Sequence, residues 1–185
     1  ITKKYLYNKK LFIKKTAMKH LTTFLLIFFS VIFIHSDIFA LSKTATSDGN
    51  WSNPKIWSPE GLPTSTDDIT IPDNVTVLMD ISFTLGAGST MTFIGTGTLH
   101  FQFKETCSLI IYGTVIFPDN NKNSITAKNT GNSNNSFMLG DGANFISVNA
   151  TGLVGSGAAI QGPGNGWTVT LSSKANYTFN RTGDQ

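Results

Sequence analysis

The chain has 185 residues, a formal net charge of +3 and an isoelectric point near 9.0. Seven of its 14 Lys and Arg residues lie before residue 20, and beyond Ala40 seven basic residues face ten acidic ones, a net charge of −3. Without a basic surface beyond Ala40, the sequence predicts no nucleic-acid partner. The single cysteine, Cys107, excludes an internal disulfide framework.

The first forty residues are predicted to be a leader preceded by an upstream segment. From Met18, "MKHLTTFLLIFFSVIFIHSDIFA" has a short basic head, an apolar core and a small residue, Ala40, at its end. This is the layout of a secretory signal peptide over residues 18–40. A retained membrane anchor is the alternative, but it needs roughly 20 apolar residues, and the polar run 35–37 interrupts this one. Residues 1–17 are then upstream or untranslated sequence. We expect a secreted or cell-surface protein that engages secretion machinery and has no membrane span in its mature chain.

A loop rich in Pro, Ser and Asn follows over residues 41–68 and carries Trp51 and Trp57. A solenoid needs an apolar cover at its first coil, and two tryptophans suit that role. The sequence therefore predicts an N-terminal Trp-containing capping loop. The alternative is that both rings form a platform for carbohydrate contact, since flat aromatic faces suit sugar rings. Asp67 and Asp68 are predicted to form the turn that ends the loop, with calcium binding as the alternative.

Residues 69–185 alternate apolar and polar positions with the period of half-buried strands. The apolar positions are Ile69, Ile71, Val75, Val77, Met79, Phe83, Leu85, Met91, Phe93, Leu99, Phe101, Phe103, Leu109, Ile111, Val115 and Phe117. Gly, Asn and Asp interrupt the runs every eight to ten residues or so, which indicates an all-β fold. The final segment, "ANYTFNRTGDQ", has the pattern of a strand, and we expect the β-helix coils of residues 69–185 to be truncated there.

The turns favour a parallel β-helix over a β-sandwich, the alternative fold. A sandwich typically shows two-residue Asn-Gly or Asp-Gly hairpin loops. Here the corners are mostly Gly-x-Gly, as in "GAG", "GTG", "GDG" and "GSG". Glycine at a sharp corner fits a chain that bends and continues in the same rotational sense, with coils of roughly 20 to 30 residues.

The stretch "SDGNWSNPKIWSPEGLPTSTDDITIPDNVTVLMD", residues 47–80, resembles the opening motif of the eight-glycine domain of extracellular proteins such as fibrocystin. It is also similar to the amino-terminal region of secreted surface proteins of Bacteroidetes-type bacteria. The shared pattern is G-x-W, a second W, then P-x-x-x-D-D and a V-T-V segment. The resemblance covers residues 46 to about 103 and implies a right-handed parallel β-helix. It also implies a carboxy-terminal sorting domain for type IX secretion; none is visible here, as expected of a truncated chain.

Few residues qualify as candidate sites. Asp119 and Asp141 lie 22 residues apart at Gly- and Asn-rich corners; if one coil spans 22 residues, they would stack and form a cation site or a carboxylate pair. His100, the only histidine beyond residue 40, falls on an outward strand position, and Cys107 is interpreted as a packing residue. A zinc site of the His/Cys type is excluded for want of ligands. The sequence predicts no cofactor, no metal and no catalytic residue in this chain.

Two functions remain open. The first is a secreted or cell-surface structural or adhesion module, non-catalytic here, with extracellular polysaccharide or other surface components as partners. The second is the N-terminal part of a secreted polysaccharide-degrading enzyme whose active site lies on later coils. Acidic clusters beside a Lys or Arg on such coils would distinguish the enzyme from the module.

Overall fold

The computed structural model describes residues 41–101, 106–118, 124–127, 134–148, 151–161 and 167–180. The chain divides into two compact units, residues 1–39 and 40–185. The leader prediction falls outside the described residues, and everything below concerns the second unit. Its strands are β1 (Ser42–Ala45), β2 (Gly49–Asn50), β3 (Trp57–Ser58), β4 (Asp68–Ile71), β5 (Thr76–Met79), β6 (Phe83–Leu85), β7 (Thr90–Phe93), β8 (Thr98–Phe101), β9 (Ser108–Ile111), β10 (Thr114–Phe117), β11 (Ser124–Ala127), β12 (Asn135–Leu139), β13 (Asn144–Ser147), β14 (Ile160–Gln161), β15 (Trp167–Leu171) and β16 (Asn176–Phe179). A 3₁₀ helix, Pro54–Ile56, precedes β3.

Within the described ranges, these strands form three sheets. Sheet A has the order β16-β13-β10-β7-β4-β1-β3, sheet B the order β14-β11-β8-β5-β2, and sheet C the order β15-β12-β9-β6. With the exception of β3, each strand is therefore followed three strands later by its neighbour in the same sheet, one position further along the stack. The architecture is a parallel β-helix, as the glycine corners predict.

The sandwich alternative is wrong, because the described strand pairs are parallel except for β1 with β3. The coil length varies. Ile69 in β4 lies opposite Met91 in β7, 22 residues later, whereas Ile125 in β11 lies opposite Ile160 in β14, 35 residues later. Because the strands stay in register, the extra residues lie in the corners between them.

The core lies between the three sheets and consists of the inward residues of each strand. The apolar alternation predicts which residues these are: β4, β5, β7, β8, β9 and β10 all alternate half-buried and buried side chains in that order. Inside sheet A, phenylalanine rings stack from coil to coil. Phe93 and Phe117 lie 4.7 Å apart and nearly parallel, Phe117 and Phe145 5.5 Å apart, and Phe145 and Phe179 6.1 Å apart.

The two glycines of the "GAG" corner, Gly86 and Gly88, serve different purposes. In the corner after β6, Gly88 has φ +89°, a conformation that favours glycine. A Cβ on Gly86 would instead lie 2.7 Å from the carbonyl oxygen of Ser65 in the preceding coil. The first glycine thus permits close stacking of coils, and the second permits the turn.

The two ends of the stack differ. At the first coil, β3 runs antiparallel to β1 and covers the edge of sheet A. At the other end of sheet A lies β16, where the ring of Phe179 is 49% exposed. The apolar column of sheet A therefore continues to the last described coil with its final ring half uncovered.

Candidate functional site

Trp51 and Trp57, the candidates for carbohydrate contact, lie in the interior, with 0% and 2% of their surfaces exposed. The Trp51 ring packs on Phe83 of β6 with centroids 4.6 Å apart, and meets the Trp57 ring edge-on at 5.0 Å. The indole Nε1 of Trp57 donates to the Trp51 carbonyl oxygen at 3.1 Å. Neither ring presents a face to solvent, so a sugar could stack on either only if the loop opened.

Polar side chains hold the tryptophan loop, residues 51–58, and the residues just after it. Asp80 accepts hydrogen bonds from the backbone N–H of Ser52 at 2.9 Å and from its hydroxyl. The buried ammonium of Lys43, a residue 5% exposed, donates to the carbonyl oxygens of Pro59 at 2.8 Å and Glu60 at 3.4 Å. The Asp80 carboxylate and the Lys43 ammonium are therefore both engaged in hydrogen bonds that hold this part of the chain in place.

Asp67 and Asp68 accept hydrogen bonds from different parts of the chain. Asp67 is buried and accepts from the backbone N–H groups of Thr64 at 2.7 Å and Leu41 at 3.3 Å. Asp68 accepts from the backbone N–H of Thr90, 22 residues later, at 2.8 Å. The interpretation of Asp67 as a turn residue is confirmed. Asp68 links one coil to the next by this hydrogen bond. The residues around Asp68 in the sequence do not indicate this link.

The pairing of Asp119 with Asp141 stays a prediction, because Asp119 lies outside the described residues. Asp141 lies in the turn between β12 and β13. The coil there is longer than the 22 residues that the pairing assumes, since Thr114 of β10 lies opposite Asn144 of β13, 30 residues later. The 22-residue spacing holds nearer the first coil, between β4 and β7.

Asp141 contacts the following coil. Its carboxylate accepts a short hydrogen bond from the Ser172 hydroxyl and pairs with the Lys174 ammonium at 3.1 Å. The Ser172 hydrogen bond and then the Lys174 hydrogen bond and charge hold the pKa of Asp141 below its ordinary value of 3.8. Asp141 is therefore ionised at neutral pH and is an acceptor, not a proton donor.

A groove of about 500 Å³ adjoins this carboxylate on the outside of sheet C. Its floor and walls include Met138 of β12, Thr170 of β15 and the corner residue Gly140. Tyr112, which is 41% exposed, forms one side, and Asp141 lies with Ser172 at the margin. Sequence reasoning singled out Asp141 and the "GDG" corner but missed Tyr112. Its position beside Gly140 depends on the 28-residue register of β9 with β12, which no local pattern reveals.

His100 and Cys107 occupy the positions predicted for them. His100 faces outward from β8 and is half-buried, while Cys107 is buried, with its backbone N–H bonded to the Asn135 side chain at 2.9 Å. Within the part of the chain that the structure describes, no group of three or more His, Cys, Asp or Glu side chains could hold a metal ion. Over the same residues, no helix is long and apolar enough to span a membrane.

Comparisons of the chain with protein-family models, with curated proteins and with solved structures find no match. The fold therefore stands on the strand register alone. The resemblance of residues 47–80 to the eight-glycine domain stays a prediction.

Proposed function

We propose that this chain is a structural and adhesive module of a secreted or cell-surface protein, whose β-helix presents polar columns to extracellular partners such as polysaccharides. The observation that carries the proposal is the outer face of sheet A. In register from β4 to β16, this face aligns one column of short polar side chains: Asp68, Thr90, Thr114, Asn144 and Asn176.

The column is joined by hydrogen bonds along the stack. The Asn144 amide donates to the Thr114 hydroxyl at 3.2 Å, and the Asn176 amide donates to the Asn144 side-chain oxygen at 2.9 Å. Neighbouring strands in a sheet lie roughly 4.8 Å apart, so each coil repeats the same surface at that interval. Repetition of one surface along a stack suits a spacer or an adhesive protein, because each added coil lengthens the stack and presents the same surface again.

The predicted leader over residues 18–40 supports a location outside the cell. The resemblance to Bacteroidetes-type surface proteins further favours export to the cell surface, with type IX secretion as the route.

The location is tested by expressing the tagged 185-residue chain in a Bacteroidetes-type host. We expect mass spectrometry of the mature protein to place its first residue at Leu41, and protease to digest it in cells whose outer membrane alone is permeabilised, because the leader directs export from the cytoplasm and this chain shows no type IX sorting domain. The control is Leu26→Arg, which puts a charge in the apolar core of the leader and should keep the protein uncleaved and inside. An uncleaved chain that keeps residues before Ala40 and stays protected from protease in these permeabilised cells would contradict the proposal.

A further inference from the structure

The groove beside Tyr112 combines an exposed aromatic ring with a rim of oxygen-bearing side chains. We infer that it binds a neutral, hydroxyl-rich carbohydrate, with one sugar ring lying against Tyr112. The inference rests on the proposed extracellular function, for which it supplies a contact site and a ligand class. It replaces the buried tryptophans as the place where this chain would contact a sugar.

Tyr112 is held in place by contacts with the preceding coil and the following coil. Its backbone N–H donates to the Leu85 carbonyl oxygen at 2.9 Å, while Gly140, the next residue in this corner column, donates to the Ile111 carbonyl oxygen at 2.8 Å. A Cβ on Gly140 would collide with atoms Cε1 and Cδ1 of the tyrosine ring. The absence of a side chain at position 140 therefore lets the ring lie against the backbone, while 41% of Tyr112 stays exposed. A flat, half-exposed ring fixed on backbone is suited to packing against the C–H face of a sugar.

Hydrogen-bonding groups on the other side of the groove are also held in place. Ser172 donates to Asp141 while its hydroxyl oxygen accepts from the backbone N–H of Lys174 at 3.0 Å. The same turn is fixed by Tyr177, whose hydroxyl donates to the Ser172 carbonyl oxygen at 2.7 Å. Carboxylate and hydroxyl groups that are already oriented lose little freedom when they bind sugar hydroxyls, which favours affinity.

The charge of the groove selects a neutral ligand. Asp141 is the only charged residue that lines the groove among those described, and the Lys174 ammonium 3.1 Å away balances it. An anionic polysaccharide would meet the carboxylate, whereas a cationic ligand would have to displace the lysine. A volume of about 500 Å³ lies within the range of small-ligand sites, roughly 300–1,000 Å³, and fits a short stretch of a glycan.

Native gel electrophoresis of the purified protein through gels that contain a mannan, a xylan or a glucan tests the inference, with alginate and heparin as anionic comparisons. We expect retardation by at least one neutral polysaccharide. Tyr112→Ala should weaken this binding about tenfold or more, and Tyr112→Phe, which keeps the ring, by less than about threefold. Asp141→Asn should weaken it severalfold.

The control is Ile94→Ala, because Ile94 is also exposed, at 43%, and lies outside the groove at the end of β7. This variant should bind like the parent. Thermal unfolding of each variant checks that the fold is kept.

Three results would overturn the inference: no retardation by any neutral polysaccharide, retardation of Tyr112→Ala equal to that of the parent, or binding of anionic polysaccharides alone. The localisation assay is independent. An exported protein that binds no glycan contradicts the groove and leaves the surface location standing, and a glycan-binding protein that stays inside the cell does the reverse.

Discussion

Individual carboxylates in this chain act as acceptors for backbone amides. Asp48 accepts from the N–H of Thr76 at 2.7 Å, and Asp73 accepts from the N–H of Thr96 at 2.8 Å. Each acceptor lies 23 to 28 residues from its donor, so the bond joins successive coils. Both bonds are exposed to solvent, so each makes only a modest contribution to stability. No local pattern around Asp48 or Asp73 indicates these bonds, because their donors lie a full coil away.

The prediction at the scale of single residues concerns the catalytic inactivity of Asp141. We expect residues 41–185 to show no hydrolase or lyase turnover on uronate or neutral polysaccharides. The ionised Asp141 cannot supply the proton that a glycosidase acid donates, and its two oxygens already accept from Ser172 and Lys174, which does not favour a role as nucleophile or base. Turnover that disappears in Asp141→Asn or Asp119→Asn would contradict the structural role.

The pH dependence of stability provides a second readout for the same residue. The folded state lowers the pKa of Asp141, so its contribution to stability is present above the unfolded value, near 3.8, and is lost as the pH falls through the folded value. Asp141→Asn should therefore lower the thermal midpoint by at most a few degrees at pH 7, and should match the parent at the most acidic pH measured. A larger deficit in acid than at pH 7 would contradict this assignment.

At the scale of strands, the sequence predicts the inward residues well and the coil boundaries poorly. Alternation alone identifies most of the buried positions from Ile69 to Phe117, because period-two burial is a local property of the chain. Of the predicted inward residues, Val75 is only partly buried and Phe103 lies outside the described residues. The antiparallel β3 is too short to leave a pattern, and its pairing with β1 depends on the tryptophan loop folding back. Coil lengths vary from 22 to 35 residues, so the sequence shows no regular repeat. The groove residues lie side by side only because of the strand register, and their proximity could therefore not be predicted from the sequence.

The prediction at the scale of strands concerns the stability that the stacked phenylalanines of sheet A provide. Phe117 is fully buried between two rings, so Phe117→Ala should lower the free energy of unfolding by about 3–5 kcal/mol. Phe179→Ala is the matched control. The same truncation at the half-exposed end of the column should be far less destabilising, about 1 kcal/mol. Chemical denaturation measures both, and equal losses would show that ring stacking does not hold the coils together.

At the scale of the whole β-helix, the motif around the two tryptophans has an architectural explanation. After β2, at the edge of sheet B, the chain passes through Trp51 and the 3₁₀ helix to β3, beyond β1 at the edge of sheet A. Sheet C begins only with β6, and Trp51 packs on Phe83 of that strand. We predict that the tryptophan loop closes this end of the stack, and that the resemblance carried by this motif reports architecture and not activity.

The free energy of unfolding of Trp51→Ala tests that claim most directly, with the groove's glycan binding measured on the same variant. A buried ring in contact with Trp57 and Phe83 should contribute about 3–5 kcal/mol, so we predict a loss of that size by chemical denaturation. Glycan binding through Tyr112 should persist below the unfolding transition. An almost unchanged free energy of unfolding together with lost glycan binding would contradict the account and make the tryptophans the ligand platform.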